Sequence, residues 1–516
     1  MQQSQSKQQV GGILGFIERI GNKIPDITIL FISAFLLVCV VSAVLAQIHF
    51  NYVHPATGKP IEITNMLSGK ALVDLMSKMV TNYANFPPLS MVIVATLGIG
   101  IADGSGYINT GLKKILSITP KVLITPVVIL VGMLSHLGPD SGYVIIIPIA
   151  AYMFYAVGKH PLAGIAASFA GIAGAFAANY TPSAIDPVIQ GFTQSAAQII
   201  DPGYQVNVLC NYFYAFASTF IVIGACWWVT EKITNPWLWK ACPLDDDLDL
   251  GNENNSSITP SENRAFKIAT AVLLLMLAGL AAALYPADSI LRAPDGVIAS
   301  FKAPIMQSIV SLIFIFAALV GLVYGIACGK FKSPKDVTAA MEEITKTLVQ
   351  LIVFYFFAAQ FLYAFGASNM GALIAVSGAE FLKSLDLPPQ VTVFGIIVFV
   401  ALLNLIITSA SAKWAILAPI FVPMLMAVGI APELTQVAFR VSDSAVNVVT
   451  PMFAFYPLII LYCQKYVKNA GIGTLSSMML PYTIALLVSL TFMLYLFWWL
   501  DIPLGFQADY VYPRRF

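Results

Sequence analysis

The sequence predicts an all-α, polytopic membrane fold built in two repeating halves. Three observations predict it: a scarcity of charge, the recurrence of apolar runs of membrane length, and a polar-plus-proline interruption that occurs twice. Of the 516 residues, 58% are hydrophobic and 10% are charged, against roughly a quarter charged in ordinary soluble domains. So few charges cannot cover a water-exposed surface. A helix needs about 20 mostly apolar residues to cross a hydrocarbon core about 30 Å thick, and the chain offers many such stretches between short polar loops.

The charge pattern also excludes function classes. The net charge is +1 with no long basic stretch, so the electrostatic footprint of a nucleic-acid binder is missing. The six cysteines, Cys39, Cys210, Cys226, Cys242, Cys328 and Cys463, show no CxxC or metal-ligand spacing. They read as small hydrophobes, and neither a disulfide, a metal cluster nor a resident cofactor is expected.

In order along the chain, residues 1–26 are a polar, slightly basic segment read as cytoplasmic. The run 27–46 is longer than a signal-peptide core and reads as the first retained helix. Residues 49–85 are polar and carry Pro55, Gly58 and Pro60 as turn signals, so they are expected in water. Apolar segments at 87–101, 122–134, 143–157, 162–178 and 208–229 complete a first membrane half, 27–230. A polar stretch, 231–267, with the acidic run 245–249, reads as a cytoplasmic linker. The second half, 268–500, carries segments at 269–284, 305–326, 344–365, 391–407, 414–428, 446–462 and 478–500, followed by a tail, 501–516. Lysine and arginine gather in alternate loops, which the positive-inside rule places in the cytoplasm. Six of the seven tryptophans sit near the ends of apolar segments, as interfacial rings do, and Trp414 alone does not.

The two halves repeat one layout: a small-polar cluster, an apolar run ending in proline, then a polar-plus-proline break. In the first half residues 135–141 precede Pro148, and the break runs from Asn179 through Pro182 and Asp186 to Pro187. In the second, residues 408–413 precede Pro419, and the break runs from Asp443 through Asn447 to Pro451. Matching interruptions in two halves are the sequence sign of a transporter site at the bilayer midplane. The short apolar runs around each serine-rich cluster predict hairpins that enter the membrane and turn back, near 122–158 and 391–428, with a broken helix near 179–187 and a polar helix over 433–462.

Arg440, Asp443, Ser444 and Asn447 fall at i, i+3, i+4 and i+7, one face of a helix in an apolar neighbourhood. A charge at the bilayer centre costs at least about 2.5 kcal/mol on the insertion scale, so this face lines an interior cavity or satisfies itself. The alternative is an ion pair that only holds helices together. Asp186 with Asn179 is the first-half counterpart, where Pro182 and Pro187 leave carbonyls free to meet a cation; the alternative is an Asp that caps a resumed helix. Ser135, Asp140 and Ser141 in one hairpin, and Asn404, Ser409 and Ser411 in the other, supply hard oxygens suited to an alkali cation. Small residues also serve close helix packing. Trp414, beside the second tip, either stacks on an aromatic solute or packs in the core, and His136 reads as a hydrogen-bonded residue rather than a proton relay.

At these positions the sequence closely resembles the p-aminobenzoyl-glutamate transporter (AbgT) family. The likeness is carried by residues 18–25, Gly158-Lys-His-Pro-Leu-Ala-Gly164, Ser409-Ala-Ser-Ala-Lys-Trp414, residues 418–424, Phe439-Arg440 with Asp443-Ser444, and Gly473-Thr474. The resemblance implies about nine transmembrane helices plus two re-entrant helical hairpins in inverted repeats, in a homodimer in the bacterial inner membrane. It implies movement of p-aminobenzoyl-glutamate, or export of sulfonamide-type antimetabolites, coupled to Na⁺ or H⁺. Carried over by matching positions, the functional residues would be Asp186, Ser411, Trp414, Pro432, Arg440, Asp443 and Pro451. Two features depart from the family's pattern: Lys413 stands where an uncharged residue is expected, and the first hairpin reads Gly-Pro-Asp-Ser.

The expectation is therefore a secondary transporter of a small anionic solute, with Arg440 clamping the anion and Ser135, Asp140, Asn179, Asn404, Ser409 and Asn447 serving the ion. An intramembrane hydrolase is disfavoured because neither His-Glu-x-x-His nor Gly-x-Ser-x-Gly is present. A passive channel fits repeated broken helices less well than alternating access does.

Overall fold

The computed structural model describes residues 26–53, 58–137, 141–183, 185–245, 258–300 and 302–513. The amino-terminal motif, Asp140, the acidic centre of the linker and the terminal arginines lie outside these residues. The described secondary structure is helical apart from two isolated bridges, Val53 with Pro60 and Ile430 with Val511.

Helix α1 (Ile27–Leu45) starts where the Asp26 carboxylate accepts from the Thr28 amide at 2.8 Å. One side packs through Phe31, stacked 5.4 Å from Phe354, while Leu36 and Leu37 on the other are exposed, as lipid-facing side chains are. The polar stretch 49–85, expected in water, is helical in its second part. Ser68 caps α2 (Gly69–Ala84), which continues almost directly into α3 (Pro87–Ser105). The combined run of 37 residues rises roughly 55 Å, well beyond the apolar core, so the half carrying Asp74 and Lys78 projects from it. Composition hid this helix because its polar residues fall on one face.

The first hairpin is approached through α4 (Tyr107–Ser117), which turns by 120° at Thr119-Pro120. Its arms are α5 (Ile124–Leu134) and α6 (Ser141–Ala156), both packed on α7 (Pro161–Phe169). After one wide turn, Ala170–Gly174, the backbone leaves helical geometry and resumes as α8 (Ile185–Ala197). Helix α9 (Tyr212–Val229) follows, running through another wide turn into α10 (Asn235–Ala241). Across the linker, α11 (Pro260–Leu284) begins in a reciprocal cap between Thr259 and Glu262. The span read as a linker is therefore helical at both ends.

The second half repeats the plan. Helices α12 (Ile309–Ala327), α13 (Pro334–Lys346) and α14 (Val349–Ala367) lead to α15 (Met370–Ser384), which turns by 117° into α16 (Pro389–Asn404). Helix α16 and α17 (Ala410–Met426) form the second hairpin, and both pack on α18 (Pro432–Val446). The break follows α18, then α19 (Tyr456–Gln464) and α20 (Ile472–Trp499). The polar helix expected over 433–462 is thus two helices. Pro148 and Pro419 lie inside hairpin helices rather than ending them. Residues 501–513, expected as a tail, pack back on the scaffold: Tyr214 donates to the Leu504 carbonyl at 2.9 Å and Ala431 to that of Tyr510 at 3.2 Å.

Seven described helices are long and apolar enough to span a membrane, and counting each sharply bent pair as one span brings the number to nine. The all-α polytopic fold with interrupted halves stands as read. Helices α17 and α18 of the second half both pack against α8 of the first, so the two breaks converge.

Close approach of α3 and α12 depends on glycine. A Cβ at Gly321 would lie 2.6 Å from the Ala102 Cα, whereas one at Gly279 on α11 would meet nothing within 4 Å. Overpacking costs about 1–3 kcal/mol, so Gly321→Leu is expected to lower the thermal midpoint in detergent by several degrees. Gly279→Leu leaves it unchanged, and equal midpoints would show that this interface yields.

Candidate functional site

Each break is held open by specific bonds. At the first, the Asp186 carboxylate accepts from the Ser183 amide at 2.7 Å and hydroxyl at 3.0 Å, tying the start of α8 to the turn before it. Asn179 donates its amide to Ala215 at 3.1 Å, and the Tyr212 hydroxyl donates to the Tyr180 carbonyl at 2.8 Å, so α9 takes up the backbone groups that helix would have paired. At the second, Thr450 donates to the Leu405 carbonyl of the hairpin tip at 2.8 Å, and Pro451 has no N–H to place. Non-helical backbone at membrane depth is tolerated when protein satisfies it in this way.

Arg440 and Asp186 meet across the two halves. Nη1 donates to Oδ1 at 2.6 Å, and Arg440 is 3% exposed. Asp186 thus both anchors the resumed helix and pairs with the other half, which joins two readings the sequence left open. The remaining guanidinium nitrogens, Nε and Nη2, have no hydrogen-bond partner among the described residues, and neither do Asn179 Oδ1 or Thr181 Oγ1. Arg440, Asn179 and Thr181 line one small crevice with Asp186, Asn211 and Tyr212.

A larger cavity of about 410 Å³ lies against the hairpin tips. Its polar lining includes Ser135, His136, Thr408, Ser411, Asp443 and Asn447, among mostly apolar neighbours such as Ile99, Tyr143 and Phe453. The size and balance are those of small-molecule sites. Around Asp443 the second tip is closed by charge: Lys413 Nζ lies 2.6 Å from Asp443 Oδ1 and also donates to Asn404 Oδ1. Asn404 donates to the Asp443 carbonyl at 2.7 Å and to Asn447 Oδ1 at 3.1 Å, and Asn447 to Asp443 Oδ2 at 3.3 Å. Neither Lys413 nor Asp443 is more than 1% exposed.

Several residues expected at the site sit elsewhere. Trp414 is fully buried; its ring stacks 4.4 Å from Phe439 and its N–H donates to Thr193 at 2.9 Å. The solute-stacking role expected of it is not what this geometry offers: it pins the second hairpin to α8. Pro432 opens α18, buried and lining neither cavity, Pro451 lies in the break without lining either, and Ser409 caps α17. Ser135 donates to the Gly132 carbonyl at 2.6 Å while lining the cavity. His136 donates its Nε2 proton to Ile172 O at 2.6 Å, a satisfied histidine as read.

A polar chain continues beyond Trp414 that the sequence alone did not point to. Thr193 donates to Gln436 at 2.6 Å, Gln436 to Asn211 at 2.7 Å, and Tyr204 to the buried Glu433 at 2.9 Å. The signal was present: Asp186, Gln190 and Thr193 fall at i, i+4 and i+7, as Glu433, Gln436 and Arg440 fall at i, i+3 and i+7.

Comparison with known proteins agrees with this architecture. Over residues 12–512 the chain matches the AbgT putative transporter family. It is 33% identical over 511 residues to the p-aminobenzoyl-glutamate transport protein of Escherichia coli strain K12, covering 99% of this chain and 98% of that one. The Neisseria gonorrhoeae MtrF structure, described as illuminating a class of antimetabolite efflux pumps, superposes with a TM-score of 0.90 at 39% identity, covering 96% of this chain and all of that one. The Alcanivorax borkumensis YdaH transporter, described as having an unusual topology, gives 0.87 at 37% identity over 93% of this chain and all of that one. These likenesses run the length of the chain and take in both hairpins and both breaks, so the chain belongs to the AbgT family and is a multi-pass membrane transporter, not an enzyme.

Proposed function

We propose that this chain is a secondary active transporter of the bacterial inner membrane that couples Na⁺ or H⁺ to the movement of a small aromatic or peptide-like carboxylate such as p-aminobenzoyl-glutamate. The observation that carries the reading is the Arg440 guanidinium, buried between the breaks with Nε and Nη2 unpartnered. Those two nitrogens share one edge of the planar fork, the edge that meets both oxygens of a carboxylate, while Nη1 is held by Asp186. Opening of the break would join the crevice to the 410 Å³ cavity, where the body of the solute lies against Tyr143 and Phe453 and its polar groups meet Ser411 and Asn447. Asp186 and Asp443 carry the charge balance that coupling requires, and Trp414 keeps the hairpin arm in place. The transport substrate named for the Escherichia coli relative fits this chemistry.

In reconstituted vesicles, labelled p-aminobenzoyl-glutamate is expected to accumulate under an imposed Na⁺ or H⁺ gradient and to equilibrate without one. Movement indifferent to both gradients would end the coupled reading. The class of antimetabolite efflux pumps that the Neisseria gonorrhoeae structure illuminates favours a second reading, export of sulfonamide-type antimetabolites through the same site. Lower sulfonamide accumulation in cells carrying the gene than in cells lacking it would select that direction.

A further inference from the structure

We propose that Lys413 is a built-in counter-cation: its ammonium takes the place at Asp443 that a coupling Na⁺ would need, so that transport by this chain runs without sodium. The inference rests on the coupled-transport reading and narrows its ion. Carboxylate and amide oxygens are the ligands a hard cation such as Na⁺ takes, and the second hairpin tip gathers them from two helices, Asn404 of α16, Asp443 of α18 and Asn447 just past the end of α18. In this chain two of those oxygens, Asp443 Oδ1 and Asn404 Oδ1, already face a cation. Nζ lies 2.6 Å from Asp443 Oδ1 and donates to Asn404 Oδ1, and the Phe439 ring flanks it with its centroid 5.8 Å away. Asp443 is the charged group recorded against Nζ among the described residues.

Among the described residues of the first half, the carboxylate at the break is already occupied. The Asp186 carboxylate is divided between Arg440 on one oxygen and Ser183 on the other. Asp186 and Asp443 thus each have a fixed cation from the chain itself. A sodium ion entering at Asp443 would sit against a like charge, with Asp443 Oδ1 and Asn404 Oδ1 turned toward the lysine. Arginine and lysine differ in bonding but both carry the charge, which provides a pair of variants that separates charge from shape.

The test is equilibrium binding of radioactive Na⁺ to the purified full chain, together with uptake of labelled p-aminobenzoyl-glutamate in sodium and in choline buffer. Wild type is expected to show no saturable Na⁺ binding and equal uptake in the two buffers. Lys413→Gln is expected to gain saturable Na⁺ binding and an uptake ratio of about tenfold in favour of sodium, the equivalent of 1.4 kcal/mol. The gain is expected to disappear in Lys413→Gln with Asp443→Asn, and Lys413→Arg stays indifferent to sodium. Saturable Na⁺ binding by wild type, or a monodisperse Lys413→Gln protein that gains none, overturns the proposal. Should Lys413→Gln fail to fold, wild type and Lys413→Arg still decide it. Absence of solute movement by wild type under any gradient would count against the transport reading, while the Na⁺ measurement on purified protein judges Lys413 separately.

Discussion

Arg440→Ala is expected to abolish gradient-driven uptake and to lower stability by about 3–5 kcal/mol, the cost of leaving one member of a buried ion pair without the other. The loss of stability follows from Asp186, whose Oδ1 at 2.6 Å would face no cation. Because a structural pair alone would predict this much, the informative variants are those that keep the charge balanced. Arg440→Met combined with Asp186→Asn removes both charges while keeping an acceptor for Ser183, and is expected to recover most of the thermal stability while uptake stays at background. Arg440→Lys keeps a charge for Asp186 but offers a point ammonium where the fork presented Nε and Nη2. Losing one charge-assisted hydrogen bond, worth about 1.5–3 kcal/mol, is expected to weaken solute binding by roughly 10- to 100-fold. Solute affinity measured on the purified protein checks this, and an unchanged affinity in Arg440→Lys would mean that the free edge of the guanidinium does not meet the solute.

That prediction was within reach of the sequence because a charge deep in an apolar segment needs a partner, and Asp186 sits in one interruption while Arg440 lies one turn before the matching one. The membrane class, both hairpins and both breaks were legible for the same reason: each is written in local composition. What was hidden depended on distant partners. Nothing near Trp414 in the chain says that its N–H goes to Thr193, 221 residues away, and its ring to Phe439; an indole away from the interfacial belts suggests a ligand until that bond is seen. The run 446–462 is apolar enough to read as one helix, yet Thr450 bonds the tip of the second hairpin and Pro451 withholds a donor, so the backbone opens between α18 and α19. Helix α2 escaped because its polar face outweighed Leu75 and the Ser68 cap in any reading by average composition.

The second large effect concerns the pair that closes the other tip. Asp443→Ala strands the Lys413 ammonium, 1% exposed, with no carboxylate within reach among the groups recorded around it. The expected cost is again about 3–5 kcal/mol, seen as a lower thermal midpoint and poorer recovery of protein. Replacing both partners with apolar residues, Asp443→Ala with Lys413→Met, is expected to return the midpoint to that of wild type or above it, because a buried ion pair exchanged for well-packed hydrophobic side chains is often neutral or stabilising by about 1–4 kcal/mol. Uptake is expected to stay at background in both variants. Stability and transport therefore separate at this position: the pair contributes little net stability, yet it holds α16, α17 and α18 together at the cavity through Asn404, Lys413 and Asp443. In the coupled transport proposed above, a hairpin tip that releases and re-forms would need a contact whose making and breaking is nearly balanced, which an apolar plug of the same shape does not provide. A double variant that is both stable and fully active would show that the charges at this tip take no part in the transport cycle.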